Sequence, residues 1–376
     1  MTAKHLAAGF SSSSVVNLIL DENADVNVLE GVGDGYTPLH YTAQYNDVEV
    51  VSMLEDKGAG LWAGGKNRLT PVEVSARFNP SADVVKLLIK QTDNWDHLLL
   101  EAAEHNPSVE VVRMLINSGA NAGPNGGHSA LHMAAWYNPN ASVIRALIEA
   151  GADVDDYDWA HRTPLHLAAM ENKNADVVKV LVNGGADVGA TADDMYTPLH
   201  FAAESNPNTK VITALVEVGA NVDARAYEEV TPLYLAAKYN PSMVATLIAH
   251  KANVHLEDEY GLGRLPLSVA AEYNHVEAIN ALLKAGADIT QPLFLAAEKN
   301  HVTALSALLK AGANVNQLDQ TQRSPLFVAA LKNHREAVCT LLDAGADPHL
   351  AKSPISHPRV KEEMKKLMRE KYARKA

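Results

Sequence analysis

Residues 163–188 read TPLHLAAMENKNADVVKVLVNGGADV, and the fold follows from this stretch. Thr163 can cap a helix, and Pro164 takes the first helical position, where a missing N–H costs nothing. Leu165, Leu167, Ala168 and Ala169 then make a short apolar helix whose small face lets a neighbour approach closely. Asn172 closes it, because asparagine tolerates the left-handed backbone. Val177, Val178, Val180, Leu181 and Val182 run through a second helix, which ends at the glycine of Gly-Ala-Asp-Val, 185–188. About a dozen residues lead to the next Thr-Pro.

The unit recurs along the chain. Thr-Pro-Leu-His stands at 37–40, 163–166 and 197–200, with variants at 70–73, 129–132, 231–234, 265–268, 291–294 and 324–327. Worn copies begin at 2 and 97. The starts are 2, 37, 70, 97, 129, 163, 197, 231, 265, 291 and 324, mostly 32 to 35 residues apart, with short steps of 27 (70 to 97) and 26 (265 to 291). In five units the closing asparagine precedes a proline that forces the break: Asn79, Asn106, Asn138, Asn206 and Asn240.

TPLHLAA at 163–169, VVKVLVNGGADV at 177–188 and the 33–34 residue period resemble the ankyrin repeat. The resemblance covers residues 2–351, about eleven units. It implies an all-α repeat solenoid of stacked helix-turn-helix units with short β-hairpin-like fingers on one side. One unit cannot bury its own apolar face, so 1–351 is expected to form one cooperative stack. Each short step is expected to lack a full finger and to interrupt the binding surface. Residues 352–376 hold nine Lys or Arg and three Glu, with Val360, Met364, Leu367 and Met368 at helical spacing. They read as a basic helix that caps the last repeat.

Composition excludes several classes. Of 376 residues, 47% are apolar and 20% charged, a globular balance. No apolar run reaches the roughly 18 residues that cross a bilayer, and the N-terminus does not read as a secretory signal. The net charge of −13 argues against nucleic acid as the main partner. A single cysteine, Cys339, rules out internal disulfides and multi-cysteine zinc sites, and it reads as a small core residue. The expected compartment is the cytoplasm, of the protein's own cell or of a host.

No catalytic, cofactor or metal site emerges. His40, His132, His166 and His200 repeat at the fourth motif position, where they are expected to bond the neighbouring finger's backbone. Metal ligation needs convergence, and a repeat spreads them apart. The glycines at 31–35 and 261–263 are finger glycines, because no buried strand precedes them. The acids at 153–158 lack the glycine and glutamate of a calcium loop.

The positions that the fold leaves free carry the functional reading. In ankyrin-like stacks the two residues after the Ala-Ala core face a concave groove. Here these are Gln44/Tyr45, Arg77/Phe78, Glu104/His105, Trp136/Tyr137, Met170/Glu171, Glu204/Ser205, Lys238/Tyr239, Glu272/Tyr273, Glu298/Lys299 and Leu331/Lys332. The finger segments add Tyr36, Trp62, Tyr157, Trp159, Tyr196, Tyr227 and Tyr260. Together these positions hold thirteen of 21 aromatics, the residue types that supply binding hot spots. The middle fingers are acidic: Asp155, Asp156, Asp158, then Asp193, Asp194, then Glu228, Glu229, then Glu257, Asp258, Glu259. The expected function is a non-catalytic scaffold or adaptor, monomeric, holding a basic protein partner in an aromatic and acidic groove. Two other readings are a secreted effector of an intracellular bacterium or an inhibitor acting through the repeats, and an enzyme with its site in an irregular finger.

Overall fold

The computed structural model describes residues 3–19, 25–31, 33–45, 47–65, 69–91, 94–123, 127–257, 264–348 and 350. Tyr260, Asp258, Glu259 and the basic tail 352–376 lie outside them. The chain divides into two compact units, the first ending at Asp193 and the second beginning at Asp194. In the first unit the helix pairs are Ala3–Phe10 with Ser13–Ile19, Pro38–Tyr45 with Val48–Asp56, and Pro71–Phe78 with Ala82–Leu88. Trp95–His105 with Val109–Asn117, Ala130–Tyr137 with Ala141–Glu149, and Pro164–Glu171 with Ala175–Asn183 complete it. The second unit pairs Pro198–Ser205 with Thr209–Glu217, Pro232–Tyr239 with Val244–Ala249, and Pro266–Glu272 with Val276–Lys284. Pro292–Glu298 with Val302–Lys310 and Pro325–Leu331 with Arg335–Asp343 follow. Within each unit, first helices stack on first helices and second on second, as an all-α repeat solenoid requires.

The motif residues do what their chemistry dictates. Thr163 and Thr197 cap their helices, and His166 and His200 close reciprocal capping boxes with them. Leu165, Leu167, Ala168, Ala169, Val177, Val178 and Leu181 are fully buried between neighbours. Each fully buried leucine or valine contributes roughly 1.5–3 kcal/mol. Gly151, Gly185 and Gly219 end second helices at φ +91°, +106° and +107°. Lys251 takes that glycine position at φ +68° without the freedom of glycine.

The closing asparagines do not use the left-handed backbone expected of them. Asn79, Asn106, Asn138, Asn172 and Asn206 end their helices in extended, not left-handed, backbone. Their side chains are buried and form a ladder. Asn138 Nδ2 donates to the carbonyls of Ala103 (3.0 Å) and Asn106 (2.9 Å), while its Oδ1 accepts from the Asn140 amide (2.9 Å). Asn106 reaches back to Ala76 and Asn79, and Asn172 to Ala135 and Asn138, in the same way. The left-handed state belongs to Asn274, Asn300 and Asn333 (φ +62°, +59° and +60°). There the next residue takes over the ladder: His275 bonds the Lys238 carbonyl (3.1 Å), His301 that of Glu272 (2.9 Å) and His334 that of Ala297 (3.3 Å).

The fingers contain no β-strand among the described residues; turns and three-residue 3-10 helices replace the expected hairpins. Two are closed by an acid-arginine clasp. Asp158 Oδ1 accepts from the amides of Ala160 and Arg162 (both 2.9 Å), and Oδ2 from Arg162 Nε (2.8 Å). Asp319 and Arg323 repeat that geometry.

Candidate functional site

The first unit carries a row of rings along the C-terminal ends of its first helices. Phe10 stacks on Tyr45 at 5.0 Å, and Phe78 on His105 at 6.3 Å. His105 meets Tyr137 edge-on at 6.3 Å, and Tyr137 stacks on Trp136 at 4.8 Å. Arg162 lies over the Trp136 ring at 5.5 Å. Tyr45 (55%), Phe78 (37%) and Tyr137 (46%) keep substantial exposure. From the finger at 153–162, Tyr157 and Trp159 are more exposed still, Trp159 at 81%. Trp136 is half-buried, and its indole N–H has no hydrogen-bond acceptor.

Charged groups weave through this row, and the sequence reading did not single them out as a cluster. Arg77 pairs with Glu101 (3.3 Å), Glu104 (3.5 Å) and the His105 imidazole, and lies over the Phe78 ring at 5.6 Å. His97 binds Glu73 at 3.1 Å. Burial pushes the Glu101 carboxyl up from its ordinary range, against the pull of Arg77. An open cavity of about 420 Å³ lies beside them, lined by Tyr41, Gln44, Tyr45, Leu69, Arg77 and Phe78. Its recognisable signal is the run of non-alanine polar and aromatic residues at the groove positions.

In the second unit Lys238 sits over the rings of Tyr239 (4.7 Å) and Tyr273 (6.0 Å), both exposed. Tyr227 is exposed on its finger. Tyr196 is not a spare aromatic. It stacks on His200 at 5.2 Å, meets Phe201 edge-on at 5.7 Å and packs on the Tyr234–Leu235–Val269 core. Burial pushes its hydroxyl up to about 12. Tyr36 is likewise enclosed, stacked on His40 at 4.5 Å.

The acids divide in the same way. Asp158 is only 4% exposed and spends its carboxylate on the finger clasp. Burial pushes that carboxyl up, but the hydrogen bonds from Arg162 and Ala160 outweigh it and hold it below its ordinary value. Asp155 accepts the Asp187 amide of the next repeat at 3.0 Å, so it too serves the stack. Asp156 is half-buried. Asp193 is exposed and pairs with the exposed His161 at 2.8 Å. Asp194, Glu228 and Glu257 are exposed, while Glu229 is half-buried against Arg225.

The motif histidines serve the backbone. His200 Nδ1 accepts from the Thr197 amide (3.1 Å), so its Nε2–H donates to the Val230 carbonyl (3.0 Å). His40 and His132 reach Leu69 and Arg162 in the same manner. Burial depresses all three, His200 to about 4. Cys339 is half-buried rather than enclosed in the core. Among the described residues no group of three or more His, Cys, Asp or Glu is placed to hold a metal ion. No described helix is long and apolar enough to cross a membrane.

Stacked helix pairs presenting rings and mixed charge, with polar motif residues consumed by backbone bonds, define each unit as part of a repeat protein. The family model for ankyrin repeats matches residues 4–97, 74–158, 99–192, 144–226, 199–292 and 290–352, and the chain belongs to that family. Among solved structures, the ankyrin repeat domain of human ASB11 is similar, 27% identical over 59% of this chain and 100% of that one, with a TM-score of 0.52. No curated protein matches the sequence. Ankyrin repeats are in general protein–protein interaction modules.

Proposed function

We propose that this chain is a non-catalytic scaffold that binds a partner protein along the ring row of its first unit. The observation that carries the reading is the exposure of Tyr45, Phe78, Tyr137, Tyr157 and Trp159 on helices and a clasped finger whose cores need none of them. Tyrosine and tryptophan held rigidly lose little entropy on binding and dominate interface energetics. The exposed acids Asp193, Asp194, Glu228 and Glu257 favour a basic partner and speed its encounter. Asp155 and Asp158 drop out of that role because the fold uses them. Tyr239 and Tyr273 are exposed rings of the same kind in the second unit.

The test is affinity capture from a lysate of the source cell, followed by titration of the captured protein. Tyr137→Ala and Trp159→Ala should each weaken binding by about 2 kcal/mol, with unchanged melting. The association rate should fall as salt rises from 0.05 to about 0.5 M. Full affinity in the double variant would place the site elsewhere, and a salt-independent rate would remove the basic partner.

A further inference from the structure

We infer that the connection at 285–291 opens a socket in the second unit for an acidic partner segment bearing one bulky apolar side chain. It goes beyond the reading above, in the other unit and with a partner of the opposite charge. The helices Val276–Lys284 and Pro292–Glu298 are joined by 285–291 alone, whereas Val302–Lys310 and Pro325–Leu331 are joined by 311–324, which carries the Asp319–Arg323 clasp. The repeat beginning at 291 is thus entered without a full finger, as its short step implies.

The gap is not filled from within. An open cavity of about 740 Å³ lies there, lined by Thr290 and Gln291 of the short connection, by Arg264, and by the finger residues 317–321 and Arg323. Phe294, Leu295, Val328 and Leu331 line it. Phe294 stands at the fourth motif position, where His40 and His200 bond the backbone leading into the following motif; here the site is apolar instead. One repeat earlier that position is Ser268, fully buried, and its hydroxyl has no hydrogen-bond partner. For Ser268 the following connection is the short 285–291, while Phe294 is followed by the full finger at 311–324 and offers that finger's backbone an apolar ring in place of a hydrogen-bonding histidine.

The charge at the mouth selects the occupant. Arg264 pairs with Glu272, Lys299 with Glu272, Lys332 with Glu298 and Arg323 with Asp319, four cations to three carboxylates. On balance the cations are the more open: Lys332, Lys299 and Arg323 side chains are 51%, 49% and 42% exposed, against 42% for Glu298, 20% for Asp319 and 13% for Glu272. Carboxylates beside an apolar anchor would meet those ammonium groups as the anchor entered the socket, and a basic segment would be repelled.

A random peptide library displayed on phage, panned on the full chain, tests this. Leu331→Trp fills the socket from an exposed position, and Lys332→Glu reverses its rim. Peptides with a Leu, Ile, Met or Phe flanked by Asp or Glu should be enriched. They should bind each variant at least tenfold more weakly, while both variants melt within a few degrees of the parent. Tyr137→Ala and Trp159→Ala should leave this binding unchanged, which separates its failure from that of the ring-row reading. Enriched peptides with basic flanks, peptides indifferent to both variants, or no enrichment over the Leu331→Trp chain would overturn the proposal. So would self-association of the parent that Leu331→Trp abolishes, which would make a second copy the occupant.

Discussion

Lowering the pH from 7.5 to 5.0 should destabilise the second unit through His200. Its side chain is fully buried, and the Thr197 amide points into Nδ1, so a proton there would set one N–H against another. Burial accordingly depresses its pKa from 6.5 to about 4. Above pH 6.5 the imidazole is neutral in folded and unfolded chains alike, and it adds no pH dependence. As the pH falls the unfolded chain binds the proton first, so stability is lost between 6.5 and 4 and the loss is complete below that. At 1.36 kcal/mol per unit, the loss is about 2 kcal/mol at pH 5 and about 3 kcal/mol below pH 4. His200→Gln keeps neutral donors and acceptors without titrating, so its loss on acidification should be about 2 kcal/mol smaller than the parent's. In melting temperature that is about 4–8 °C for a unit of this size. All four tryptophans (62, 95, 136, 159) lie in the first unit, so fluorescence does not report on this helix. Amide exchange of Pro198–Ser205, corrected for intrinsic rate, does. Equal losses in parent and His200→Gln would refute the reasoning.

Three further perturbations address the scaffold. Asn138→Ala removes three hydrogen bonds in a buried rung and should cost the first unit about 3 kcal/mol in urea unfolding, where a loss below 1 would deny the ladder its role. Lys251→Gly relieves a left-handed lysine at a position where other repeats use glycine; it should stabilise by about 0.5–1 kcal/mol, and a lower melting temperature would contradict this. Asp158→Ala should open the finger at 153–162 by about 2 kcal/mol, seen as faster exchange of the Ala160 and Arg162 amides alone, and unchanged protection there would mean that the clasp is not what holds the turn.

The fold was legible because each repeat spells its own boundaries: a capping threonine, a proline that starts a helix, a glycine that ends one. The surface was legible where position alone decides exposure, as at Tyr45, Phe78, Tyr137, Tyr239 and Tyr273 on the helix ends and at Trp62, Tyr157, Trp159 and Tyr227 in the fingers. It misled where a partner sits a few residues away in a turn. Asp158 carries the same letter as Asp194, yet Arg162 four residues on pulls it inward, and the Asp-x-x-x-Arg spacing at 158–162 and 319–323 is the sign. Tyr196 and Tyr36 stand four residues before His200 and His40, and each stacks on its histidine instead of facing outward. The asparagines misled because a buried carboxamide with three partners outweighs the backbone preference of an isolated residue.

The asparagine ladder also has a direction, since Asn79, Asn106, Asn138, Asn172 and Asn240 each donate toward the N-terminal neighbour. A repeat taken from 97–162 therefore presents the same plug at one end and the same receptacle at the other. At this rung such repeats are interchangeable: one can be duplicated or excised whole, and the asparagine contacts of the junction left behind match those already present. The three histidine rungs near the C-terminus use a different connector, with a left-handed asparagine behind it. Lengthening or shortening the array is thus a matter of cutting within a block of one connector type, and a cut across types would leave donors and acceptors that do not mate.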